Sequence, residues 1–166
     1  MAPADVGSAL GELALDGKLG MGGMGGLVLM GLRLIVCGSR HWQDRDTMTS
    51  VLEALDEWEG IDLIIHGDCR GADRMARDIA VSHDWFVVAH PAEWQKYGRA
   101  AGPLRNRKML ESCAVDYVIA FHENLKASRG TKDILRAAEA KGIPSIVVVP
   151  GTRWSDDDAT RYLGDL

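Results

Sequence analysis

Between Leu32 and Val149 the chain alternates short continuous apolar runs with longer segments whose apolar residues recur at helical spacing. The apolar runs are LRLIVCG, IDLIIHG, WFVVAHP, VDYVIAFH and PSIVVVP. None has the strict apolar–polar alternation of a strand with one wet face, so each reads as a strand covered on both sides. Between them, DTMTSVLEALDEW sets Met48, Val51, Leu52, Leu55 and Trp58 on one helical face, with Asp46 as the expected N-cap. GADRMARDIAVSH does the same with Met75, Ile79 and Ala80. A loop, AEWQKYGRAAG, leads to a helix PLRNRKMLESC with Pro103 in its first turn, and GTKDILRAAEAKG reads as a helix closed by Gly142. The tail SDDDATRYLGDL adds a short helix with Ser155 as its cap.

Strands separated by helices predict an α/β fold: a Rossmann-like, doubly wound, mainly parallel sheet of about five strands with helices on both faces. This domain occupies 32–150. A leader over 1–31, read as flexible or weakly helical, precedes it, and a tail over 151–166 follows. The leader's GMGGMGGLVLMGL is too glycine-rich for a membrane helix, and it lacks the basic start and cleavage site of a signal peptide.

In a parallel sheet every loop that follows a strand emerges at the same edge, where ligands bind. That edge collects Gly38, Ser39, Arg40, His41 and Trp42 after the first strand and Gly67, Asp68, Arg70, Gly71 and Asp73 after the second. Trp94, Tyr97, Arg99, Arg105 and Asn106 follow the third, and Ser128, Arg129, Gly130 and Thr131 the fourth. Arg40, Arg70, Arg105 and Arg129 make a cationic rim suited to phosphate oxygens. The glycines would let backbone N–H groups approach a ligand, and helix N-termini add donors. Trp42, Trp94 and Tyr97 are candidates to stack on a base or sugar. Each residue also has a plainer reading: glycines for the turns, solvated arginines, aromatics that pack the loop, Asp68 and Asp73 as caps of the second helix. His41 and His66 read as surface or hydrogen-bonded histidines, and no spacing resembles a metal site.

Composition narrows this further. At 166 residues, 46% apolar and 26% charged, the chain is ordinary globular material. A net charge of −5 argues against non-specific nucleic-acid binding. Cys37, Cys69 and Cys113 are odd in number and read as reduced thiols of a cytoplasmic protein, the first and last at least partly buried. There is no G-x-G-x-x-G, no P-loop and no G-x-S-x-G elbow, which disfavours dinucleotide dehydrogenases and P-loop NTPases.

IVCGSRHW, IIHGDCRGAD, PAEW…YGRAAGPLRNRKM and DYVIAF…SRGT, in this order over 33–149, resemble the YspA/YpsA-related branch of the SLOG superfamily. That resemblance implies a Rossmann-like fold and a nucleotide or nucleotide-derived ligand, in bacteria or their phages. The superfamily also holds the LOG phosphoribohydrolases, the DprA proteins and molybdenum-cofactor carriers, and its members often dimerise through helices that flank the sheet. On the matching positions, Gly38, Ser39, Arg40, Gly67, Asp68, Gly71 and Asp73 would face the ligand. Arg105 and Asn106 match the basic helix start, and Gly130 and Thr131 the turn that carries phosphate. One position departs from the pattern: Ile134 stands where LOG hydrolases carry a catalytic glutamate, and Asp133 is one residue early, about 100° away around a helix.

Three functions follow from these readings. The first is a module that senses or sequesters a phosphorylated nucleotide. The second is a hydrolase of an N-glycosidic or phosphoester bond, with Asp68, Asp73, Asp133 and Glu93 as available acids. The third is DprA-like handling of single-stranded nucleic acid, with an interaction protein as the remainder. The first predicts that replacing Arg40 or Arg105 by alanine weakens phosphate binding and leaves the melting temperature nearly unchanged.

Overall fold

The computed structural model describes residues 30–163. Apart from Met30 and Gly31, the leader lies outside them. Five parallel strands form the sheet: β1 (Leu32–Gly38), β2 (Ile61–His66), β3 (Phe86–Ala89), β4 (Tyr117–Phe121) and β5 (Ser145–Val148), in the order β3-β2-β1-β4-β5. The helices are α1 (Arg45–Glu59), α2 (Ala72–Ser82), α3 (Trp94–Tyr97), α4 (Ala101–Glu111), α5 (Arg129–Ala140) and α6 (Asp156–Leu163). The fold is Rossmann-like, as the alternation predicts. Strand order reverses between β1 and β4, whose ends are paired through Gly38 and Phe121.

The apolar runs of β1, β2 and β4 are buried because both faces are covered. Leu34, Val36, Ile64, Ile119 and Phe121 join one core with Met48, Leu52 and Leu55 of α1, Ile79 of α2, and Ala159 and Leu163 of α6. The alternate positions Ile35, Leu63, Ile65, Val118 and Ala120 are equally buried. α4 and α5 pack on each other and bury Met109, Leu110, Ile134 and Ala138.

Three local expectations are corrected. The N-cap of α1 is Asp44, not Asp46: its carboxylate accepts from the Thr47 N–H at 2.9 Å, from Thr47 Oγ1 at 2.6 Å and from the Gly151 N–H at 2.8 Å. Three donors from two segments fix the choice between two nearby aspartates, and Asp46 is left exposed in the first turn. The loop before Pro103 contains α3 and a 3₁₀ turn, Gly98–Ala100, and α4 begins at Ala101, so Cys113 falls just past its end. Cys37 is buried and Cys113 half-buried. Among the described residues no helix is long and apolar enough to cross a membrane.

Candidate functional site

A cleft of about 580 Å³ opens at the carboxyl ends of β1 and β4, where strand order reverses. Cys37, Met109 and Ile134 give it an apolar floor, and burial pushes the Cys37 thiol up, so that it stays neutral. Of the residues singled out in the sequence, Gly38, Ser39, Arg40, Asp73, Arg105, Asn106, Arg129, Gly130 and Thr131 line it. Four loops therefore do converge.

One wall is the start of α5. Ser128 caps it, its Oγ accepting the Thr131 N–H at 3.1 Å. The N–H groups of Arg129 and Gly130 are first-turn donors without intrahelical partners. A side chain at Gly130 would meet nothing within 4 Å, so the backbone there faces open space. Thr131 is only 6% exposed, and its hydroxyl makes no hydrogen bond within the described residues. Arg40 and Arg129 are exposed at the mouth, and Arg40 lies 5.9 Å over the Trp94 ring.

Arg105 is bound differently from the expectation. Its Nη1 donates to the carbonyls of Gly67 at 2.5 Å and His90 at 3.4 Å, its Nε to Asn106 Oδ1 at 3.0 Å, and both terminal nitrogens lie 3.9 Å from Cys69 Sγ. It ties the loops after β2 and β3 to α4. Asn106 passes the connection on, donating to Asp133 at 2.9 Å. Asp133 also pairs with Arg107 at 3.1 Å and does not line the cleft. Asp73 is 5% exposed and accepts the N–H groups of Gly67 at 3.0 Å and Cys69 at 3.3 Å. It thus fastens the β2–α2 loop to its helix, and burial pushes its pKa up to about 6.

Several expected ligand contacts are absent from the cleft. Trp42 is a core residue, 3% exposed, packed edge-on against Phe121 with its Nε1 donating to the Asp44 carbonyl, so its ring has no free face for a base. Asp68 turns towards Arg74 at 3.4 Å and Arg77 at 3.9 Å, Arg70 is exposed outside the lining, and Glu93 pairs with Lys108 at 3.5 Å. Trp94 and Tyr97 stand exposed on the rim, also outside the lining. Two of the glycines serve the protein's own packing. A Cβ at Gly38, at φ +153, would run into the Phe121 carbonyl, and one at Gly71, at φ +79, into the backbone of Ser39 and Arg40. Gly67, likewise, gives way to the Arg105 guanidinium.

Sequence reasoning passed over His122 and Glu123. Ser39 is 4% exposed; its N–H donates to the Phe121 carbonyl at 2.9 Å, its Oγ accepts the His41 N–H at 3.0 Å, and its hydroxyl donates to Glu123 Oε1 at 2.5 Å. That hydroxyl holds the Glu123 carboxyl below the usual carboxylate range. Glu123 forms no ion pair among the described residues. His122 is 8% exposed and accepts the Asn124 N–H at Nδ1, 2.9 Å away. The available signal was positional: both residues directly follow the strand at the reversal point.

The model of the YspA, cpYpsA-related SLOG family matches residues 32–97. The Gene 61 protein of Mycobacterium phage D29 is 37% identical over 123 residues, covering 69% of this chain and 94% of that protein. DNA processing protein A (DprA) from Streptococcus pneumoniae has a similar fold, with a TM-score of 0.57 at 20% identity. The match covers 81% of this chain and 56% of that one, so the chain spans a little over half its length.

Proposed function

Because the chain belongs to the YspA, cpYpsA-related SLOG family, we propose that it binds a phosphorylated nucleotide or nucleotide-derived small molecule in the β1–β4 cleft, as a sensor or sequestering module. The observation that carries this reading is the start of α5 in the lining, where the first-turn N–H groups of Arg129 and Gly130 stand beside Thr131 and open space. First-turn N–H groups lack intrahelical acceptors, and an oxygen of a bound anion would supply one. Arg40 and Arg129 add charge at the mouth. The apolar floor and the volume suit a nucleoside-sized ligand.

Binding without cleavage is supported by Ile134, apolar and buried where LOG hydrolases carry an acid, and by Asp133, held outside the lining by Asn106 and Arg107. One observation favours the hydrolytic reading: Asp73 lines the cleft with a pKa near that of a general acid. A nucleic-acid-handling role has Trp94, Tyr97 and the rim cations in its favour.

Titration with nucleoside 5′-monophosphates, the bare nucleosides and a single-stranded oligonucleotide separates these readings, with chromatography of the bound fraction to detect free base. The monophosphates are expected to bind intact and more tightly than the nucleosides. Thr131→Val should weaken them about tenfold, the worth of one charge-assisted hydrogen bond. Unchanged affinity in both Thr131→Val and Arg40→Ala would remove the anion site. Release of free base that is lost in Asp73→Asn would establish the hydrolase, and tighter, salt-dependent binding of the oligonucleotide the nucleic-acid role.

A further inference from the structure

The cleft has a second pole of opposite character. Its lining contains a carboxylate, Glu123, among arginines that do not pair with it. Glu123 is exposed at the mouth, and a cradle for phosphate alone gains nothing from such a group, because like charges repel. The carboxylate is also held in place. Ser39 is pinned from three sides, by Phe121, by His41 and by Glu123 itself, so its hydroxyl proton points at Glu123 Oε1. Oε2 makes no hydrogen bond to another residue within the described chain and is left to accept one.

His122 complements it. Because Nδ1 accepts the Asn124 N–H, the ring proton of the neutral imidazole is on Nε2. Nε2 has no partner within the described residues, the ring is more than nine-tenths buried, and it lines the cleft. An acceptor and a donor on consecutive residues thus look into one space. Two vicinal hydroxyls match this pair, since each can donate and accept at once: one gives its proton to Glu123, and its neighbour accepts from His122.

We infer that Glu123, positioned by Ser39 and flanked by the Nε2–H of His122, reads the ribose hydroxyls of the ligand and makes the cleft selective for ribonucleotides over deoxyribonucleotides. The inference rests on the nucleotide reading of the cleft and adds the sugar to it. A ligand placed this way has its phosphate at α5 and its sugar at the β1 and β4 loops. A site built to hydrogen-bond a hydroxyl rejects the analogue that lacks it strongly, because its own polar groups are then left unpaired.

The experiment titrates the full chain and two variants with adenosine, guanosine, cytidine and uridine 5′-monophosphates and their 2′-deoxy forms. Wild type is expected to prefer the ribo form at least about tenfold, one hydrogen bond to a charged group. In Glu123→Gln the preference should collapse by loss of ribonucleotide affinity, with the deoxy affinity equal or higher and the melting temperature unchanged. Ser39→Ala frees the carboxylate without removing it and should leave an intermediate preference. Equal affinity for both sugars in wild type overturns the inference and leaves the phosphate site standing. A base preference that is independent of the sugar and lost in Glu123→Gln puts a base edge at Glu123 and also overturns it. Binding of no monophosphate at all overturns both readings.

Discussion

Arg105 and Arg40 look alike in the sequence and do different work in the fold. Arg105 spends its donors on the Gly67 and His90 carbonyls and on Asn106, whereas Arg40 is exposed and lies over the Trp94 face. Arg105→Ala should therefore lower stability by about 2–3 kcal/mol, the cost of leaving buried acceptors unpaired. Arg40→Ala should stay within about 0.5 kcal/mol of wild type, as surface substitutions do. Denaturant unfolding of both variants checks the contrast, and equal midpoints would refute it. The sequence showed that basic residues gather at this edge. It could not show which guanidinium is committed to the protein itself, because that depends on carbonyls brought in from two other loops. Trp42 is the same case: an aromatic beside a glycine turn has no sequence mark that separates a stacking face from a core plug. Glu123 was overlooked because an acid in a cationic rim looks like an ordinary solvated charge until Ser39 is seen to hold it.

At the level of elements, β1, β2 and β4 were readable because their apolar runs are buried on both faces, and burial is what an apolar run records. α1, α2 and α5 were readable because each buries one stripe. α3 was not: none of its four residues is buried, so it carries no periodicity to detect. The start of α1 was misplaced by two residues for a different reason. Asp44 and Asp46 are equally good caps locally, and the choice is made by Gly151, which arrives in the loop after the edge strand β5. Asp44→Ala should cost about 1–2 kcal/mol, at the upper end for an N-cap because two segments lose an acceptor. Asp46→Ala removes only a charge near the helix start, worth about 0.3–1 kcal/mol. Comparable losses in the two, measured by thermal or denaturant melting, would show that the cap is not where it is placed here.

Across the whole molecule, the buried ionisable groups under the β2–α2 and β3–α3 loops set the acid limit of the fold. His66 is fully buried, its Nδ1 accepts the Asp68 N–H and its Nε2 has no partner; burial holds its pKa down to about 4. Burial lowers His90 as well. In the unfolded chain a histidine takes its proton near pH 6.5, so between about 6.5 and 4 the unfolded state binds more protons and stability is lost as pH falls. Asp73 acts in the opposite sense. Its folded pKa of about 6 exceeds the unfolded value near 4, so the native state binds the extra proton and gains stability as pH falls from about 6 to 4. Below that, Asp44, held down to about 2 by the Thr47 hydroxyl, loses its contribution as pH falls from about 4 to 2. His66 and His90 thus impose a fall in melting temperature between about pH 6.5 and 4, against which Asp73 imposes a gain, as does His83, raised against the effect of burial by the Ile79 carbonyl and Glu53, near the upper end of that range. His66→Asn keeps an acceptor for the Asp68 N–H and removes the titrating ring, so it should flatten that fall. Asp73→Asn keeps an acceptor for Gly67 and Cys69 and removes the opposing gain, so it should steepen it. Melting curves of the three proteins across this range are therefore expected to fan out on either side of wild type. Displacement of both variants to the same side would mean that at least one of these groups titrates with the wrong sign.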